Sequence, residues 1–175
     1  MQYRRAKQKG GTYFFTLTLK NRKSSLLIDY FDCLRNAFNK VKNNHRFILD
    51  AMVVLPEHLH MLMTLPENDD NYATRIRLIK TNFSRAIPKT ENINASRIQK
   101  GERGIWQRRY WEHCIKNETD YNRHVDYIHY NPVKHGYVDK PIDWQYSTLH
   151  KYVANNVLTD NWGGEYSGDF DILKP

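Results

Sequence analysis

The chain has 175 residues, with 27 Lys and Arg against 19 Asp and Glu, so its formal charge is +8, and its 40% hydrophobic content suits one folded domain rather than a disordered polymer. That charge, with a pI near 9.4, favours a polyanionic partner over a charged surface kept only for solubility. No apolar run approaches the roughly 18 residues of a membrane span, MQYRRAKQKGG lacks the apolar centre of a secretion signal, and Cys33 and Cys114 have no CxxC spacing, so a reduced cytoplasmic protein with no membrane partner is expected.

Residues 1–11 form a basic arm carrying Arg4, Arg5, Lys7 and Lys9 and closing on Gly10-Gly11 as a flexible hinge. Such an arm suits contact with a phosphate backbone or groove, and equally a frayed, solvated terminus. The run from Tyr13 to Leu19, aromatic and β-branched, predicts the first strand, followed by a basic turn that includes Arg22. Between Asp29 and Asn43, Phe31, Leu34, Phe38 and Val41 recur at spacings of three and four, which predicts an amphipathic helix.

Two strands follow, at 49–55 and 58–65, joined by a short turn at Pro56-Glu57. Strand alternation puts His58 and His60 on one side, Cα atoms roughly 6.6 Å apart, and sends Leu59 and Met61 to the other. Two imidazoles so spaced can share one divalent ion and leave room for a third ligand and a substrate oxygen. Two half-buried strand histidines with backbone partners would give the same pattern.

The loop end Asp69-Asp70-Asn71 caps a helix over 72–86, with Ile76, Ile79 and Phe83 as its buried stripe and Arg75, Arg77, Lys80 and Arg85 as a basic outer face. That face is either a solvated one or a phosphate track. Residues 88–104 lack periodicity and predict a mobile connection. Next, Trp106, Tyr110 and Trp111 interleave with Arg108 and Arg109, a mixture that stacks on bases and pairs with phosphates, or that buries its tryptophans in a strand at 110–115.

A helix opens at Glu118 and ends near Tyr130, before Pro132. Tyr121, Val125 and Ile128 form its buried stripe; Asp120, His124, Tyr127 and Asn131 form a neighbouring polar one. Tyr127 and Asn131 thus lie one turn apart at its border, although a residue before proline tends to leave helical geometry, which leaves the direction of Asn131 open. A tyrosine hydroxyl beside a metal-polarised phosphate is a competent nucleophile, while any single helical tyrosine is as readily a packing residue. The segment 155–175 is rich in Asn, Gly and Asp, with Trp162, Tyr166 and Phe170 available to pack on the body.

Together these stretches carry a resemblance. Leu55-Pro56-Glu57-His58-Leu59-His60 resembles the His-hydrophobic-His motif of single-tyrosine HUH transposases, and Tyr127-Ile128-His129-Tyr130-Asn131-Pro132-Val133-Lys134-His135-Gly136 resembles the tyrosine helix of their REP-associated branch. Gly10-Gly11-Thr12-Tyr13-Phe14-Phe15-Thr16, Ile105-Trp106-Gln107, Trp111-Glu112-His113 and Asp143-Trp144 with Tyr146-Ser147-Thr148 are similar to that branch too, so the likeness covers most of the chain.

The resemblance implies an α+β, ferredoxin-like HUH fold of order β-α-β-β-α-β-α on an antiparallel sheet, with an arm at 1–11, the domain at 12–154 and a C-terminal tail at 155–175. It implies an enzyme that recognises palindromic DNA hairpins and cleaves adjoining single-stranded DNA through a 5′-phosphotyrosine link. Tyr127 would be the nucleophile, His58, His60 and Asn131 would hold Mg²⁺ or Mn²⁺, and a monomer is expected. Arg4, Arg5, Lys7, Lys9, Arg22, Lys80, Arg108 and Arg109 are the expected DNA contacts. A hairpin-binding protein without cleavage and a metal-dependent hydrolytic nuclease are the competing readings.

Overall fold

The aromatic and β-branched run after Gly11 becomes β1 (Thr12–Thr18), an inner strand of a four-stranded antiparallel sheet in the computed structural model, which describes residues 7–163. The other strands are β2 (Ile48–Val54), β3 (His58–Thr64) and β4 (Trp111–Cys114), in the spatial order β2-β3-β1-β4. With helices between them this is the expected α+β, ferredoxin-like arrangement. Pro56 and Glu57 make the turn between β2 and β3, Leu55 N–H closing it on the His58 carbonyl at 2.9 Å.

Helices α1 (Leu26–Asp29), α2 (Phe31–Asn44), α3 (Tyr72–Ala86), α4 (Ala95–Gln99), α5 (Glu118–Lys134) and α6 (Leu149–Ala154) complete the described chain, with a 3₁₀ turn at Pro141–Asp143. No helix among the described residues is long and apolar enough to cross a membrane. Both faces of the sheet are covered. One bears Tyr13, Phe15, Leu17, Leu59, Met61 and Met63, against Leu34, Phe38 and Val41 of α2 and Ile76, Ile79 and Phe83 of α3. The other bears Phe14, Ala51, Val53 and Leu62, against Val125, Tyr127 and Ile128 of α5. The α5 layer is therefore what brings helix side chains to the face of His58 and His60.

Four expectations change. The helix α5 does not stop before Pro132 but runs to Lys134. Proline removes only the hydrogen bond to the Ile128 carbonyl, and the buried ring packs in place, so one lost bond late in a long helix does not break it. Gly136, at φ +73, then ends the helix in a conformation that other residues rarely adopt. Arg75 belongs to no outer face: it is 3% exposed, donating to the carbonyls of His45, Arg46 and Asn71 and pairing with Asp69 at 2.6 Å.

Gly10 is a fixed turn rather than a hinge, its N–H bonded to the Asp69 carbonyl at 3.0 Å and its α-carbon so close to Glu67 that a Cβ would meet the backbone at 3.0 Å. The 88–104 connection is tied down by Arg103, which pairs with Glu91 at 2.6 Å, donates to the carbonyls of Ser84, Ile87 and Pro88, and holds the Glu91 carboxyl down at about 2. A surface segment without periodicity is thus ordered by one guanidinium fork.

One internal histidine makes the fold acid-sensitive. Thr148 Oγ1 donates to the Met52 carbonyl and accepts from Met52 N–H, so His129 Nε2–H must donate to it at 2.9 Å. Its Nδ1 is buried with no hydrogen-bond partner among the described residues, and burial pulls the ring down to about 4. Below pH 6.5 the unfolded chain takes a proton that the folded one refuses, so stability present above 6.5 is lost as pH falls toward 4. At about 1.4 kcal/mol per unit the loss is about 3 kcal/mol. Urea midpoints at pH 7 and pH 4.5 should differ accordingly, and His129→Gln, which keeps the donor to Thr148 without the titration, should flatten the difference. An unchanged acid slope in that variant would refute the assignment.

Candidate metal and nucleophile site

The register of the central strands builds the site. His60 lies opposite Thr16 of β1 and His58 opposite Thr18, so both imidazoles project onto the α5 face with ring centroids 4.9 Å apart. Both are buried, 4% and 2% exposed. Tyr127 comes down on them from α5, its ring 5.1 Å from His60 and edge-on to Phe14 at 5.8 Å. One turn on, Asn131 is fully buried, and because α5 continues through Pro132 its side chain keeps the direction that the helix dictates. The expected polar stripe is thus no border: His124, Tyr127 and Asn131 are all buried.

The ring nitrogens are divided between support and function. His58 Nδ1–H donates to Glu57 Oε1 at 2.8 Å, and Arg22 reaches the same carboxylate oxygen at 3.5 Å. Burial opposes ionisation of Glu57, but the hydrogen bond from His58 and the charges of His58 and Arg22 hold its carboxyl below the usual range. His60 Nδ1 is 2.8 Å from Thr16 Oγ1. Burial first, then repulsion from charge on the His58, His135, Lys134 and Arg22 side chains, pushes His60 well below its usual pKa.

Three buried polar atoms then lack hydrogen-bond partners among the described residues: His60 Nε2 and both the oxygen and nitrogen of the Asn131 amide. Leaving such groups unsatisfied costs on the order of 1–3 kcal/mol each. A divalent cation would remove that cost at two of the three, by taking the lone pairs of His60 Nε2 and the Asn131 oxygen, with His58 Nε2 as a third donor. The residues therefore fit a metal. Glu57, an acceptor only, selects the His58 tautomer with Nδ1–H inside and Nε2 free, and the Thr16 hydroxyl can accept from His60 Nδ1–H in the same way, the usual arrangement behind metal-bound histidines.

Sequence reasoning gave Glu57 no role and missed Thr16. The signal for Thr16 was readable, as Thr16 and Thr18 alternate with apolar residues on the same face as the histidines. It also missed Lys134, whose Nζ lies 4.9 Å from the Tyr127 ring centroid, and His135, 5.2 Å from the His58 ring. Glu57→Gln is expected to weaken Mn²⁺ binding by about 10- to 100-fold, the effect of losing a carboxylate behind a ligating imidazole. Calorimetric titration with Mn²⁺ checks this, and an unchanged affinity would remove Glu57 from the support.

The expected DNA contacts are dispersed. Arg4 and Arg5 lie outside the described residues. Lys7, Lys9 and Arg109 are exposed, and Arg22 sits at the rim through Glu57. Arg108 is held by Glu102 at 3.0 Å. Lys80 donates to the Gln107 carbonyl at 2.7 Å and lies 5.8 Å from the Trp106 and Tyr110 ring centroids, its pKa lowered to about 8 by burial and by the charge of Arg97. Trp106 is buried while Trp111 is exposed, so the aromatic-basic stretch divides between packing and surface.

Comparison with known proteins fits this geometry. The family described as "Transposase IS200 like" matches residues 7–131, which span both histidines, the tyrosine and the asparagine. The chain belongs to the IS200-like transposase family. Within it the chain is one of the REP-associated tyrosine transposases. It is 46% identical over 164 residues to the REP-associated tyrosine transposase of Escherichia coli K12, covering 94% of this chain and 92% of that one. It is 48% identical over 163 residues to a Haemophilus influenzae protein provisionally given the same name, covering 93% of each. A solved structure described as a REP-associated tyrosine transposase bound to a REP hairpin superposes with a TM-score of 0.84 at 45% identity, covering 96% of this chain and 94% of that one. The family is one of the HUH transposases.

Proposed function

We propose that this transposase binds a palindromic DNA hairpin and cuts the adjoining single strand through Tyr127. The observation that carries this reading is the convergence of the Tyr127 ring on His60, whose Nε2 is buried without a hydrogen-bond partner among the described residues, as is the Asn131 amide one helical turn beyond Tyr127. His58, His60 and Asn131 would hold Mg²⁺ or Mn²⁺, which when bound polarises a phosphate oxygen and offsets charge developing at phosphorus. Strand register sets the two histidines on one face, and helix phase sets Asn131 one turn beyond Tyr127.

The phenol oxygen of Tyr127 attacks phosphorus and its proton passes to solvent. The bond from phosphorus to the 3′ oxygen breaks, and that oxygen takes a proton and leaves as a free 3′-OH, while the 5′ side stays on the enzyme as a phosphotyrosine. One phosphodiester replaces another, so the reverse attack by a 3′-OH reseals a strand without ATP. Lys134 over the tyrosine ring favours the developing phenolate. Arg22 and the basic arm contribute the salt-sensitive attraction to phosphates.

The surface beside His58 suits unpaired bases. From His58 the rings continue to His135 at 5.2 Å, to Tyr137 at 6.2 Å and to Trp144 at 5.2 Å, and Tyr137 is 43% exposed. The exposed His135 and Tyr137 rings offer stacking faces to a single strand. The deciding experiment incubates the protein with a labelled hairpin carrying single-stranded flanks and Mn²⁺, then denatures it. A protein-linked label whose peptide contains Tyr127 is the expected product. Tight hairpin binding with no adduct and no cut strand would leave a binding protein only.

A further inference from the structure

A second group of metal-capable side chains lies where β4 meets the start of α5. The donor atoms of His113, Asp120 and His124 all fall within 4.8 Å of one another. His113 comes from the edge strand, while Asp120 and His124 stand one helical turn apart and project together. Asp120 already reaches both rings, Oδ2 lying 2.8 Å from His113 Nε2 and Oδ1 3.2 Å from His124 Nδ1. Bonds of about 2.1 Å around a tetrahedral zinc require donors about 3.4 Å apart, so the Asp120 carboxylate has to turn one oxygen toward both rings and the edge between the two imidazoles has to close. Their ring centroids are 4.9 Å apart with planes 15° apart, against 80° for His58 and His60 at the same separation, so one imidazole has to tilt as the ion binds.

The group is also held in place. His124 is 3% exposed and packs on Phe14 at 4.7 Å, Lys116 N–H donates to Asp120 Oδ2 at 2.9 Å, and Asn117 caps the helix through Asp120 N–H at 2.9 Å. His113 and Asp120 remain partly accessible, which leaves an entry path. We propose that His113, Asp120 and His124 form a second cation site, selective for zinc and similar transition metals, with water in the remaining position. Two imidazoles and a carboxylate suit Zn²⁺, whereas Mg²⁺ prefers oxygen ligands and keeps most of its water.

On binding, the proton on His113 Nε2 moves to Nδ1. The proton that His124 Nδ1 shares with the Asp120 carbonyl, 2.8 Å away, moves likewise to Nε2. The ion then clamps the short edge strand to the first turns of α5. Phe14 links the clamp to the first site, since its ring touches His124 at 4.7 Å, His60 at 5.5 Å and Tyr127 at 5.8 Å. The second ion therefore fixes how the helix bearing Tyr127 lies on the sheet.

The test is a count of ions. The chelator-stripped full chain is titrated with Zn²⁺ by calorimetry and weighed by native mass spectrometry. Two zinc ions per chain are expected, falling to one in His113→Gln, whose amide keeps the hydrogen bond to Asp120, and to one in Asp120→Asn. His60→Gln, directed at the other site, should remove the other ion, and its combination with His113→Gln should remove both. Zinc should also raise the melting temperature of His60→Gln by several degrees but not that of the combined variant. A wild-type chain that binds no zinc overturns the proposal, as does any stoichiometry that His113→Gln and Asp120→Asn both leave unchanged, and the group is then a hydrogen-bonded capping network. A single zinc that His113→Gln abolishes supports the proposal and counts against the His58–His60 site instead.

Discussion

Tyr127→Phe is expected to abolish the covalent protein–DNA adduct while leaving hairpin binding within about twofold of the wild type. The change deletes one oxygen and keeps the ring that packs against Phe14, His60 and Lys134, so the helix should stay seated. Loss of a buried hydroxyl costs on the order of 1 kcal/mol of stability. Loss of the nucleophile costs far more: strand cleavage should fall by a factor on the order of 10⁶, beyond the limit of a gel assay. A hydrolytic nuclease behaves in the opposite way, because water would still attack the polarised phosphate in the Phe variant. Persistent cutting by Tyr127→Phe would therefore sink the transesterification reading while leaving the metal site intact. Tyr121→Phe is the internal control. Its phenol faces Asp50 at 3.5 Å, and burial with that negative charge pushes its pKa up, which makes it a poor nucleophile.

The parts of this molecule that sequence reading reached are those set by local periodicity. Alternation in His58-Leu59-His60-Met61 fixed the face of the histidines, and the spacing of three and four in Tyr121, Val125 and Ile128 fixed which side of α5 meets the sheet. What stayed out of reach depends on partners distant in the chain. Arg75 reads as a surface cation until the His45 and Arg46 carbonyls, about thirty residues earlier, surround it. Arg103 orders a segment that has no pattern of its own. Pro132 misled because a proline's helix-breaking tendency was weighed without the burial of its ring, and the error bore directly on Asn131, whose aim depends on the helix continuing. Thr16 and Glu57 touch the histidines through register and a turn, so their chemistry appears only once β1 and β3 are paired.

His60→Gln should separate the metal from the scaffold. A glutamine fills much of the imidazole's volume, so it keeps the layer between Phe14 and Tyr127 while removing the Nε2 lone pair that no described residue satisfies. If the ion supplies several kcal/mol of charge stabilisation in the transition state, and each 1.4 kcal/mol is tenfold, adduct formation should fall by about 10³. Binding to the hairpin, which depends on phosphate contacts elsewhere, should change little. The pairing with Glu57→Gln is the sharper comparison. A lost support only weakens a complete ligand set, so high Mn²⁺ should restore cleavage by Glu57→Gln to near the wild-type rate. A lost ligand leaves the ion misplaced even at saturation, so His60→Gln should stay slow however much Mn²⁺ is added. Full recovery of His60→Gln at high Mn²⁺ would show that this imidazole holds the ion without shaping the reaction. No effect at all would mean that the buried, unpartnered Nε2 serves neither purpose.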